Sequence, residues 1–521
     1  MAESIGPDPT TYHQSLQSPA AAKWKAAMDE EYNALVKNGT WTLCPLPKGR
    51  KAIGTKWVYK TKTDESGQVS RYKARLVAQG FNQVPGRDFV DTFSPVAKIS
   101  SIRTLLAIAA IKDFELHNMD VDTAFLQATV TEDIYVQQPL GYRRKGGNNE
   151  NLVCKLNKSL YGLKQSSRNW YKEIDSWLKQ YGMLPSTADP CVYTRIHGNQ
   201  VLIIILYVDD LIIAGNNKKQ INNFKTSISS KFKMKDLGTL KWILGMEVQR
   251  DRAKRIISIN QTAYIDQVLQ RFGMSNCKPV TTPAEGTIKR LSKADGGKTD
   301  KEYMALVGSL LYAAMITRPD IGYAVQALSR HLQSTGPEHV TAAKRVLRYL
   351  KGTRTLGIVY SPDQEQDLCY VGYSDADWGG DPDTRRSTSA YLFMASGGAI
   401  SWSSRLQQTV ALSSTEAEYM ALCEAVKEAI HIRKLFQDLG CNKGPSIIYE
   451  DNQGSIALSE NPVHHKRTKH IDIKYHFVRE KVDNKEVILK YIPTEHQLAD
   501  LLTKALPNQR MSILRKRVLG Y

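Results

Sequence analysis

The chain has little of what secreted or membrane proteins need. Its cysteine count is odd, and the cysteines are scattered without a CxxC pair as Cys44, Cys154, Cys191, Cys277, Cys369, Cys423 and Cys441. This pattern argues against a disulfide framework and favours a reducing compartment. Residues 1–23 lack the apolar core of a signal peptide. An apolar stretch at 201–214 is shorter than the ~20 residues that span a bilayer, so we expect a soluble protein without a membrane partner.

The composition is that of a large globular protein with a basic surface. At 521 residues the chain is too long for one ordinary core, and about two to four domains are expected. Hydrophobic residues make up 42% and charged residues 24%, which argues against a disordered chain. The net charge of +19, from 71 basic and 52 acidic residues, favours a polyanionic partner, of which nucleic acid is the commonest.

Two adjacent carboxylates, Asp209 and Asp210, interrupt the apolar stretch at 201–214. Burying an uncompensated carboxylate is costly, and two neighbours also repel each other. Neither Lys nor Arg occurs between Arg195 and Lys218, so a divalent metal ion is one way to compensate them. A hairpin turn is the other interpretation, because adjacent acidic residues are common in turns. The metal site and the turn are also compatible, because a tight hairpin would hold both acids at its tip.

A second acidic motif, DVD at 120–122, ends a strand-like segment. Strand alternation places Asp120 and Asp122 on the same face. Together with the carboxylates of the apolar stretch, this segment could hold two Mg²⁺ ions about 3.5–4 Å apart, the arrangement used for phosphoryl transfer. A solvated strand end is the alternative, because DxD alone is a weak signal.

Composition shifts divide the chain into parts. Residues 1–20 carry Pro, Ser and Gln without periodicity and are expected to form a loose leader. Residues 284–300 are rich in Gly, Lys, Asp and Thr, which is typical of a linker, and helical patterns follow over 303–350. From 368 to 502 strands and helices alternate, which predicts an α/β unit that could fold independently.

A collinear series of motifs extends from about Trp24 to the C terminus. The N-terminal motifs are WVYKTKTDESGQVSRYKARLVAQGF (57–81), FSPVAKISSIR (93–103), MDVDTAFLQA (119–128), SLYGLKQSSRNWY (159–171), YVDDLIIAG (207–215), LKWILGMEV (240–248) and TRPDI (317–321). The C-terminal motifs are SDADWGGD (374–381), LSSTEAEYMAL (412–422), YEDNQGSI (449–456), RTKHIDIKYHFVRE (467–480) and QLADLLTK (497–504). In this order they resemble the reverse transcriptase and ribonuclease H portion of the Pol polyprotein of copia-type LTR retrotransposons.

The resemblance implies a multidomain fold of the α+β and α/β classes. After the leader at 1–20, a right-hand reverse transcriptase with fingers, palm and thumb-like parts would occupy 21–283. A linker and helical connection would follow at 284–367, and a ribonuclease H-like α/β domain at 368–510.

For the polymerase, the resemblance implies metal ligands at Asp120, Asp209 and Asp210, with Asp122 as a neighbour. The cofactor would be Mg²⁺, two ions per active site, with Mn²⁺ as a substitute. Such ions lower the pKa of the attacking 3′-hydroxyl and neutralise charge on the leaving pyrophosphate.

The resemblance also implies a set of substrate-binding residues, which are Lys73, Arg75, Phe125, Tyr161, Gly162, Lys164 and Trp242. The first two would grip the triphosphate, and surface salt bridges are their alternative. The Phe125 ring would screen against a ribose 2′-hydroxyl, although Phe is as often an ordinary core residue. The segment at 161–164 would pack near the templating base pair, and Trp242 would grip the primer terminus or serve as a core aromatic.

For the nuclease, the resemblance implies four metal-binding carboxylates, which are Asp375, Glu418, Asp451 and Asp500. Asp377 and Glu416 lie two positions from two of these, so those assignments could be displaced by two residues. Acids from separate elements converge only when cations hold them together, and two Mg²⁺ ions meet that demand. Recognition of the RNA:DNA hybrid should depend on 2′-hydroxyls and groove shape rather than on base sequence.

The histidines receive no catalytic assignment. Many ribonucleases H carry a His on a loop well before the last Asp, whereas His496 lies only four residues before Asp500, so this loop looks absent or altered. A second group lies in a run rich in Lys and Arg and consists of His464, His465, His470 and His476. The absence of a Cys pair disfavours zinc there, and a basic surface against the hybrid backbone or a solvated segment is expected.

The expected function is an RNA- and DNA-directed DNA polymerase with a linked ribonuclease H. Its partners would be the RNA template, the DNA primer and product, the RNA:DNA hybrid and dNTPs, with the integrase and capsid regions of the same element as further partners. The expected location is the cytoplasm, in a virus-like particle, or the nucleus. The alternative is a truncated, catalytically silent relic that binds nucleic acid without copying it.

Overall fold

The computed structural model describes residues 7–63, 69–144, 151–294, 296–362, 370–441, 444–460 and 472–521. Within these ranges the chain forms helices and five β-sheets, which confirms the expected mixed α and β class. A small hydrophobic core surrounds Trp24 and Trp57, and a large one extends from Ala97 to Leu519. None of the helices in the described ranges has the length and apolarity that a membrane span requires.

Residues 12–156 provide most of the small core, while their α3 and β4 belong to the large core and β4 joins a large sheet. Their elements are α1 (Tyr12–Gln17), α2 (Ala21–Lys37), β1 (Trp41–Pro45), β2 (Thr55–Thr63), β3 (Val69–Ala78), α3 (Ile99–Lys112), β4 (Glu115–Val121), β5 (Tyr135–Val136) and β6 (Leu152–Leu156). Strands β2 and β3 form an antiparallel hairpin, and β1, β6 and β5 form a three-stranded sheet. Buried side chains of α2 and of these strands make up the small core.

Residues 7–20 differ from the expected loose leader. A capping box starts α1, because the Thr11 hydroxyl accepts the Gln14 N–H while the Gln14 side chain accepts the Thr11 N–H. Ser15 is fully buried and its hydroxyl lies 3.0 Å from the Tyr59 hydroxyl of β2. Composition underestimates this order, because the stabilising partner is far away in the sequence.

A six-stranded antiparallel sheet forms the centre of the first half of the molecule. Its further elements are α4 (Ser166–Gln180), β7 (Leu184–Pro185), β8 (Val192–His197), β9 (Gln200–Tyr207), β10 (Asp210–Gly215), α5 (Lys218–Lys231) and β11 (Met234–Thr239). The strand order is β11-β4-β10-β9-β8-β7. The Leu and Ile side chains of β9 and β10 are buried on both faces, as their continuous apolar runs predict.

The chain continues into a four-stranded sheet and a group of helices. Their elements are β12 (Trp242–Ile243), β13 (Met246–Asp251), β14 (Ile256–Asn260), α6 (Thr262–Arg271), α7 (Lys301–Ile316), α8 (Gly322–Ser329), α9 (Pro337–Gly352) and β15 (Ile358–Tyr360). Strand β15 pairs with β14, which gives the order β12-β13-β14-β15. The segment at 284–367 is therefore more than the expected linker and helical connection, because its last strand completes a sheet that begins near residue 242.

The C-terminal part is a five-stranded mixed sheet with helices. Its elements are β16 (Tyr370–Ala376), β17 (Thr388–Ala395), β18 (Gly398–Leu406), α10 (Ser414–Asp438), β19 (Ser446–Glu450), α11 (Gln453–Glu460), α12 (Asp472–Asp483), β20 (Val487–Tyr491) and α13 (Asn508–Leu519). The strand order is β18-β17-β16-β19-β20, in which β16, β19 and β20 are parallel. Helix α10 packs across β16 and β17, and the succession of strands and helices follows the alternation seen in the sequence.

A buried arginine connects two helices with the five-stranded sheet. Arg103 of α3 donates hydrogen bonds of 2.8 Å to the Ile400 and Met315 carbonyls, and its guanidinium lies 3.7 Å from the centre of the Trp402 ring. One side chain therefore connects α3, α7 and β18. The hydrogen bonds and the aromatic face supply the partners that a buried cation requires.

Candidate active sites

The first acidic site lies at the tip of the β9–β10 hairpin. Tyr207 pairs with Asp210, so Val208 and Asp209 form a two-residue turn. Val208 has a left-handed backbone with φ of +58°, which is unfavourable for a β-branched residue and is typical of functional sites. The Trp170 indole donates a hydrogen bond of 2.6 Å to the Val208 carbonyl and supports this conformation. The hairpin turn therefore carries the pair of adjacent carboxylates.

Asp120 on β4 faces the hairpin tip. It pairs with Asp210 across the sheet, and the Val121 N–H donates to the Asp209 carbonyl at 2.8 Å. Burial and the carboxylates of Asp209 and Asp120 raise the pKa of Asp210 to about 6. Burial, Asp209 and Asp122 also raise the pKa of Asp120. The charged forms are therefore disfavoured, and a divalent cation would offset that cost.

Asp122 has a cation of its own. Its carboxylate forms an ion pair with Lys233, and its N–H donates to the Lys233 carbonyl at 2.9 Å. Strand β4 ends at Val121, so the two-residue alternation that predicted a shared face with Asp120 ends before Asp122. Asp122 therefore differs from Asp120, Asp209 and Asp210, because a lysine of the chain already pairs with its carboxylate.

Several residues of the predicted substrate site lie together beside the hairpin tip. The Arg75 guanidinium lies 4.6 Å from the centre of the Tyr161 ring, and the Phe125 ring centre lies 4.8 Å from that of Tyr161. Lys73, two residues before Arg75 on β3, offsets part of the rise in the Asp120 pKa, so its ammonium is within electrostatic reach. The β2–β3 hairpin therefore places the Lys73 ammonium near Asp120 and the Arg75 guanidinium against Tyr161.

The remaining predicted substrate residues have other contacts. Gly162 has φ of +91°, and a Cβ there would lie 2.2 Å from the Ala78 carbonyl oxygen, so close packing against β3 requires glycine. The Lys164 ammonium lies 4.6 Å from the centre of the Phe89 ring. Trp242 on β12 is 50% exposed, which argues against its alternative as a core aromatic.

The second acidic site lies between the five-stranded sheet and α10. Within the described ranges, one group of three potential metal ligands has its ligand atoms within 4.8 Å of one another, and it consists of Asp375, Glu418 and Asp451. Asp375 lies near the end of β16, Glu418 lies on α10, and Asp451 directly follows β19. The three carboxylates at the hairpin tip do not approach one another as closely.

Hydrogen bonds and burial define this group. Glu418 Oε2 accepts the Ala376 N–H at 2.8 Å, and Asp451 Oδ2 accepts the Thr494 hydroxyl at 2.7 Å. Burial raises the pKa of Glu418 well above its usual value, and the neighbouring Asp375 raises it further. Burial also raises the pKa of Asp375 and that of Asp451. Packing these carboxylates together favours a bound cation.

The two alternative acids have other partners. Asp377 accepts a hydrogen bond from the Thr388 N–H on the neighbouring strand. Glu416 accepts the Leu412 N–H at 2.9 Å as part of the N-terminal cap of α10. Neither belongs to the group of three.

Asp500 is adjacent to this group but is not part of it. It lies on a short 3₁₀ helix, Leu498–Leu502, and is almost fully buried. One oxygen contacts the Lys504 ammonium and the other contacts the Arg510 guanidinium. Both cations were missed in the sequence, although a lysine four residues after an aspartate is a spacing that allows an ion pair.

Glu450 is an acidic residue of the site that the motifs did not reveal. It ends β19 beside Asp451, it is fully buried, and neither carboxylate oxygen has a hydrogen bond of normal geometry. Burial, Asp451 and Asp375 raise its pKa well above the usual value. A glutamate at the end of the apolar strand SIIYE was the available signal, because such positions are normally apolar.

None of the histidines that the structure describes joins the group of three metal-ligating carboxylates. His496 is exposed on a short 3₁₀ helix, Thr494–His496. His476 is exposed on α12, whereas His464, His465 and His470 lie outside the described residues. The donors at both sites are thus carboxylate oxygens, which suit hard cations such as Mg²⁺ and Mn²⁺. The buried carboxylate oxygens of Glu450 are also of the kind that hard cations bind.

Several known proteins have sequences similar to that of this chain. Residues 38–286 match the family model for reverse transcriptase (RNA-dependent DNA polymerase). The chain is 44% identical over 519 residues to a retrovirus-related Pol polyprotein from transposon TNT 1-94 of Nicotiana tabacum, covering 98% of this chain and 39% of that polyprotein. It is 42% identical to the Pol polyprotein from transposon RE1 of Arabidopsis thaliana, covering 96% and 34%. The chain belongs to the reverse transcriptase family of copia-type Pol polyproteins.

A third relative is shorter than these polyproteins. The reverse transcriptase chain is 33% identical over 312 residues to a putative transposon Ty5-1 protein of Saccharomyces cerevisiae, covering 60% of this chain and 100% of the yeast protein. It spans about two fifths or less of the two plant polyproteins. The region that matches the reverse transcriptase model contains the hairpin-tip carboxylates, whereas the second acidic site lies beyond residue 286.

Proposed function

We propose that this reverse transcriptase is an RNA- and DNA-directed DNA polymerase with a linked ribonuclease H, each using a two-metal site. The observation that carries the proposal is the presence of two separate carboxylate sites in one chain. One lies where β4 and β10 bring Asp120 opposite Asp210, within the matched reverse transcriptase region. The other is the group of Asp375, Glu418 and Asp451 on the mixed sheet.

In the polymerase, the six-stranded sheet would be the palm and the β2–β3 hairpin would belong to the fingers. Asp120, Asp209 and Asp210 would hold Mg²⁺, with Mn²⁺ as a substitute. When bound, the ions neutralise the charge that develops during transfer of the nucleotide to the primer 3′-hydroxyl. The rigid β-ladder beneath the hairpin tip would keep the carboxylates in place through each cycle.

The fingers hairpin would bind the nucleotide. Lys73 and Arg75 lie on the same face of β3, since they are two residues apart, and both would contact the triphosphate. The contacts of Arg75 with Tyr161 and of Tyr161 with Phe125 support this role, because they connect β3 with the segment that follows β4 and its Asp120. The Phe125 ring would exclude a ribose 2′-hydroxyl sterically and so favour dNTPs.

In the nuclease, Asp375 and Glu418 are buried while Asp451 is partly exposed. The scissile phosphate of the RNA strand would therefore approach from the Asp451 side. Bound Mg²⁺ would activate a water molecule for hydrolysis. Asp500 would complete the site from the neighbouring 3₁₀ helix.

The proposed partners follow from these activities. They are the RNA template, the DNA primer and product, the RNA:DNA hybrid and dNTPs, and the net charge of +19 supports contacts with their phosphates. We further propose association with the integrase and capsid regions of the same element, in a cytoplasmic virus-like particle or in the nucleus.

The test is a separation of the two activities in the full-length chain. Asp209→Asn together with Asp210→Asn should reduce Mg²⁺-dependent dNTP incorporation on a primed RNA template by about 10³-fold or more, because it removes ligands that supply several kcal/mol of charge stabilisation. Cleavage of an RNA:DNA hybrid should survive. Asp375→Asn should have the opposite effect on the two assays.

Asp251→Asn serves as a matched control, because this aspartate is exposed on β13 away from both sites. Equal incorporation by wild type and the double variant would refute the polymerase proposal. Equal hybrid cleavage by wild type and Asp375→Asn would refute the nuclease proposal. A wild-type chain that binds hybrid but shows neither activity would support the silent relic.

A further inference from the structure

A lysine ammonium lies between two carboxylates of the nuclease site. Lys504 Nζ is 3.2 Å from Asp375 Oδ1 and also contacts Asp500 Oδ1. Both aspartates are essentially buried, with 0% and 1% of their surfaces exposed. The ammonium therefore offsets part of the charge of these two carboxylates, which are buried from solvent, and it connects β16 with the 3₁₀ helix that carries Asp500.

The oxygens of this aspartate pair are already occupied. Asp375 Oδ2 accepts the Thr503 hydroxyl, and Asp500 Oδ2 contacts the Arg510 guanidinium. Each of the four oxygens therefore has a donor from the chain. A divalent cation bridging Asp375 and Asp500 would need to displace at least Lys504, because two cations cannot share that space without strong repulsion.

The opposite side of the site has an excess of negative charge. Glu418 and Asp451 approach Asp375 within 4.8 Å, and Glu450 adds a fully buried carboxyl group whose oxygens lack a hydrogen bond of normal geometry. The hydrogen bonds on Glu418 and Asp451 come from neutral donors, an amide and a hydroxyl. Lys504 pairs with Asp375 but forms no ion pair with Glu418 or Asp451, so a divalent cation there would meet the ammonium only at Asp375.

We infer that Lys504 is a built-in counter-ion that makes the two cation positions of the nuclease unequal. One divalent ion binds tightly at Asp375, Glu418 and Asp451. A second binds between Asp375 and Asp500 only when the Lys504 ammonium moves away, and its affinity is lower for that reason. Lys504 is thus a positioning residue. The inference deepens the proposed ribonuclease H function and rests on it for the identity of the site.

The first test counts and ranks bound Mn²⁺ ions without nucleic acid. All proteins are full-length and carry Asp209→Asn and Asp210→Asn, so that the polymerase site does not contribute. Free Mn²⁺ is followed by electron paramagnetic resonance for the parent, Lys504→Met, Lys504→Arg and the control Lys516→Met. Lys516 is an exposed lysine on α13, and its replacement removes the same charge without touching the site.

The parent should bind one Mn²⁺ tightly and a second at least about tenfold more weakly. Lys504→Met should strengthen the weaker step by about tenfold, which corresponds to about 1.4 kcal/mol, and should bring the two affinities closer together. Lys504→Arg and Lys516→Met should behave like the parent. Unchanged or weaker binding of the second ion in Lys504→Met would overturn the inference, as would two equal ions in the parent.

A second measurement needs no substitution and decides the matter if Lys504→Met does not fold. Acetic anhydride labels accessible lysines of the wild-type chain at increasing Mn²⁺, and mass spectrometry reads each site. Labelling of Lys504 should rise at least about threefold over the range in which the second ion binds, because an amine released from two carboxylates is more accessible. Lys516 should stay constant. Constant or falling labelling of Lys504 would refute the displacement.

These readouts separate the inference from the function on which it rests. Unequal Mn²⁺ binding controlled by Lys504, in a chain that does not cleave hybrid, would refute the nuclease function and leave the counter-ion role of Lys504 supported. Hybrid cleavage by a chain that binds two Mn²⁺ ions with equal affinity would support the nuclease function and refute the counter-ion role of Lys504.

Discussion

The two acidic sites solve the same electrostatic problem in different ways. At the hairpin tip, Asp209 and Asp210 are half-buried on a turn that opens towards solvent and the β2–β3 cations. At the second acidic site, Asp375, Glu418 and Asp500 from separate elements are buried, and Lys504 and Arg510 pair with Asp500. At the first site, solvent and bound ligands must neutralise the carboxylates. At the second site, Lys504 and Arg510 of the chain itself neutralise part of the carboxylate charge.

The difference agrees with the substrates that we propose. A polymerase site receives a triphosphate in every cycle, and Mg²⁺ binds best where carboxylates and substrate phosphates share it. Such a site must be open and incomplete. A nuclease site that acts on one phosphodiester can be more fully assembled in advance, and internal cations make that assembly stable before any divalent ion binds.

Replacing one ion pair at each site gives the sharpest contrast. Arg510→Met should destabilise the Leu498–Leu502 segment by about 3 kcal/mol, because it removes a partner from the buried Asp500 carboxylate. Lys233→Met should cost about 0.5 kcal/mol or less, since its pair with Asp122 is exposed. Amide hydrogen exchange measured at each segment should be about 100-fold faster in the first variant and nearly unchanged in the second.

Arg510→Lys is the matched control, because it keeps a cation beside Asp500. Similar exchange rates in Arg510→Met and Lys233→Met would mean that burial does not distinguish the two sites, and the comparison would lose its basis.

The next largest effect concerns metal binding without nucleotide. Glu418→Gln should weaken the tightest Mn²⁺ site of the wild-type chain by about tenfold or more, since it removes a charged ligand from the buried group. Asp120→Asn should leave that affinity within about twofold. Isothermal titration calorimetry checks both.

Addition of a primer–template and a dNTP should create further Mn²⁺ binding in wild type and in Glu418→Gln, but not in Asp120→Asn. Tight binding that is lost in Asp120→Asn without nucleotide would show that the hairpin tip is the preassembled site, contrary to the comparison.

The sequence was informative where one motif carried both the local structure and the charge. The YVDD hairpin could be predicted because apolar runs define β9 and β10 and two acids mark the turn between them. The group at Asp375, Glu418 and Asp451 could be anticipated only through the resemblance, since three unrelated elements meet there.

What the sequence could not predict depends on contacts between distant segments. Loose composition hid the docking of α1 on β2, where Ser15 meets Tyr59. The helical connection predicted up to residue 367 left out β15, whose partner β14 lies about a hundred residues earlier. The cations on Asp500 were hidden for a different reason, because lysine and arginine are frequent in so basic a chain and only the fold shows which of them are beside an acid.

The smallest effect is a pH dependence at the hairpin tip. The Asp210 pKa is about 6 in the folded chain, against an ordinary value of 3.8. The folded state therefore binds this proton more readily than the unfolded state between these values, and stability falls as pH rises through about 6.

In EDTA, the melting temperature of Asp210→Asn relative to wild type should increase between pH 5 and pH 7 and then level off. We expect a change of about 1–2 °C, since even 1 kcal/mol shifts the melting temperature of a large domain by only a few degrees. Excess Mg²⁺ should remove the trend, because it stabilises the ionised carboxylate. A difference that is constant with pH in EDTA would show that the Asp210 carboxylate is no more costly in the fold than in water, and that the tip is more solvated than its burial suggests.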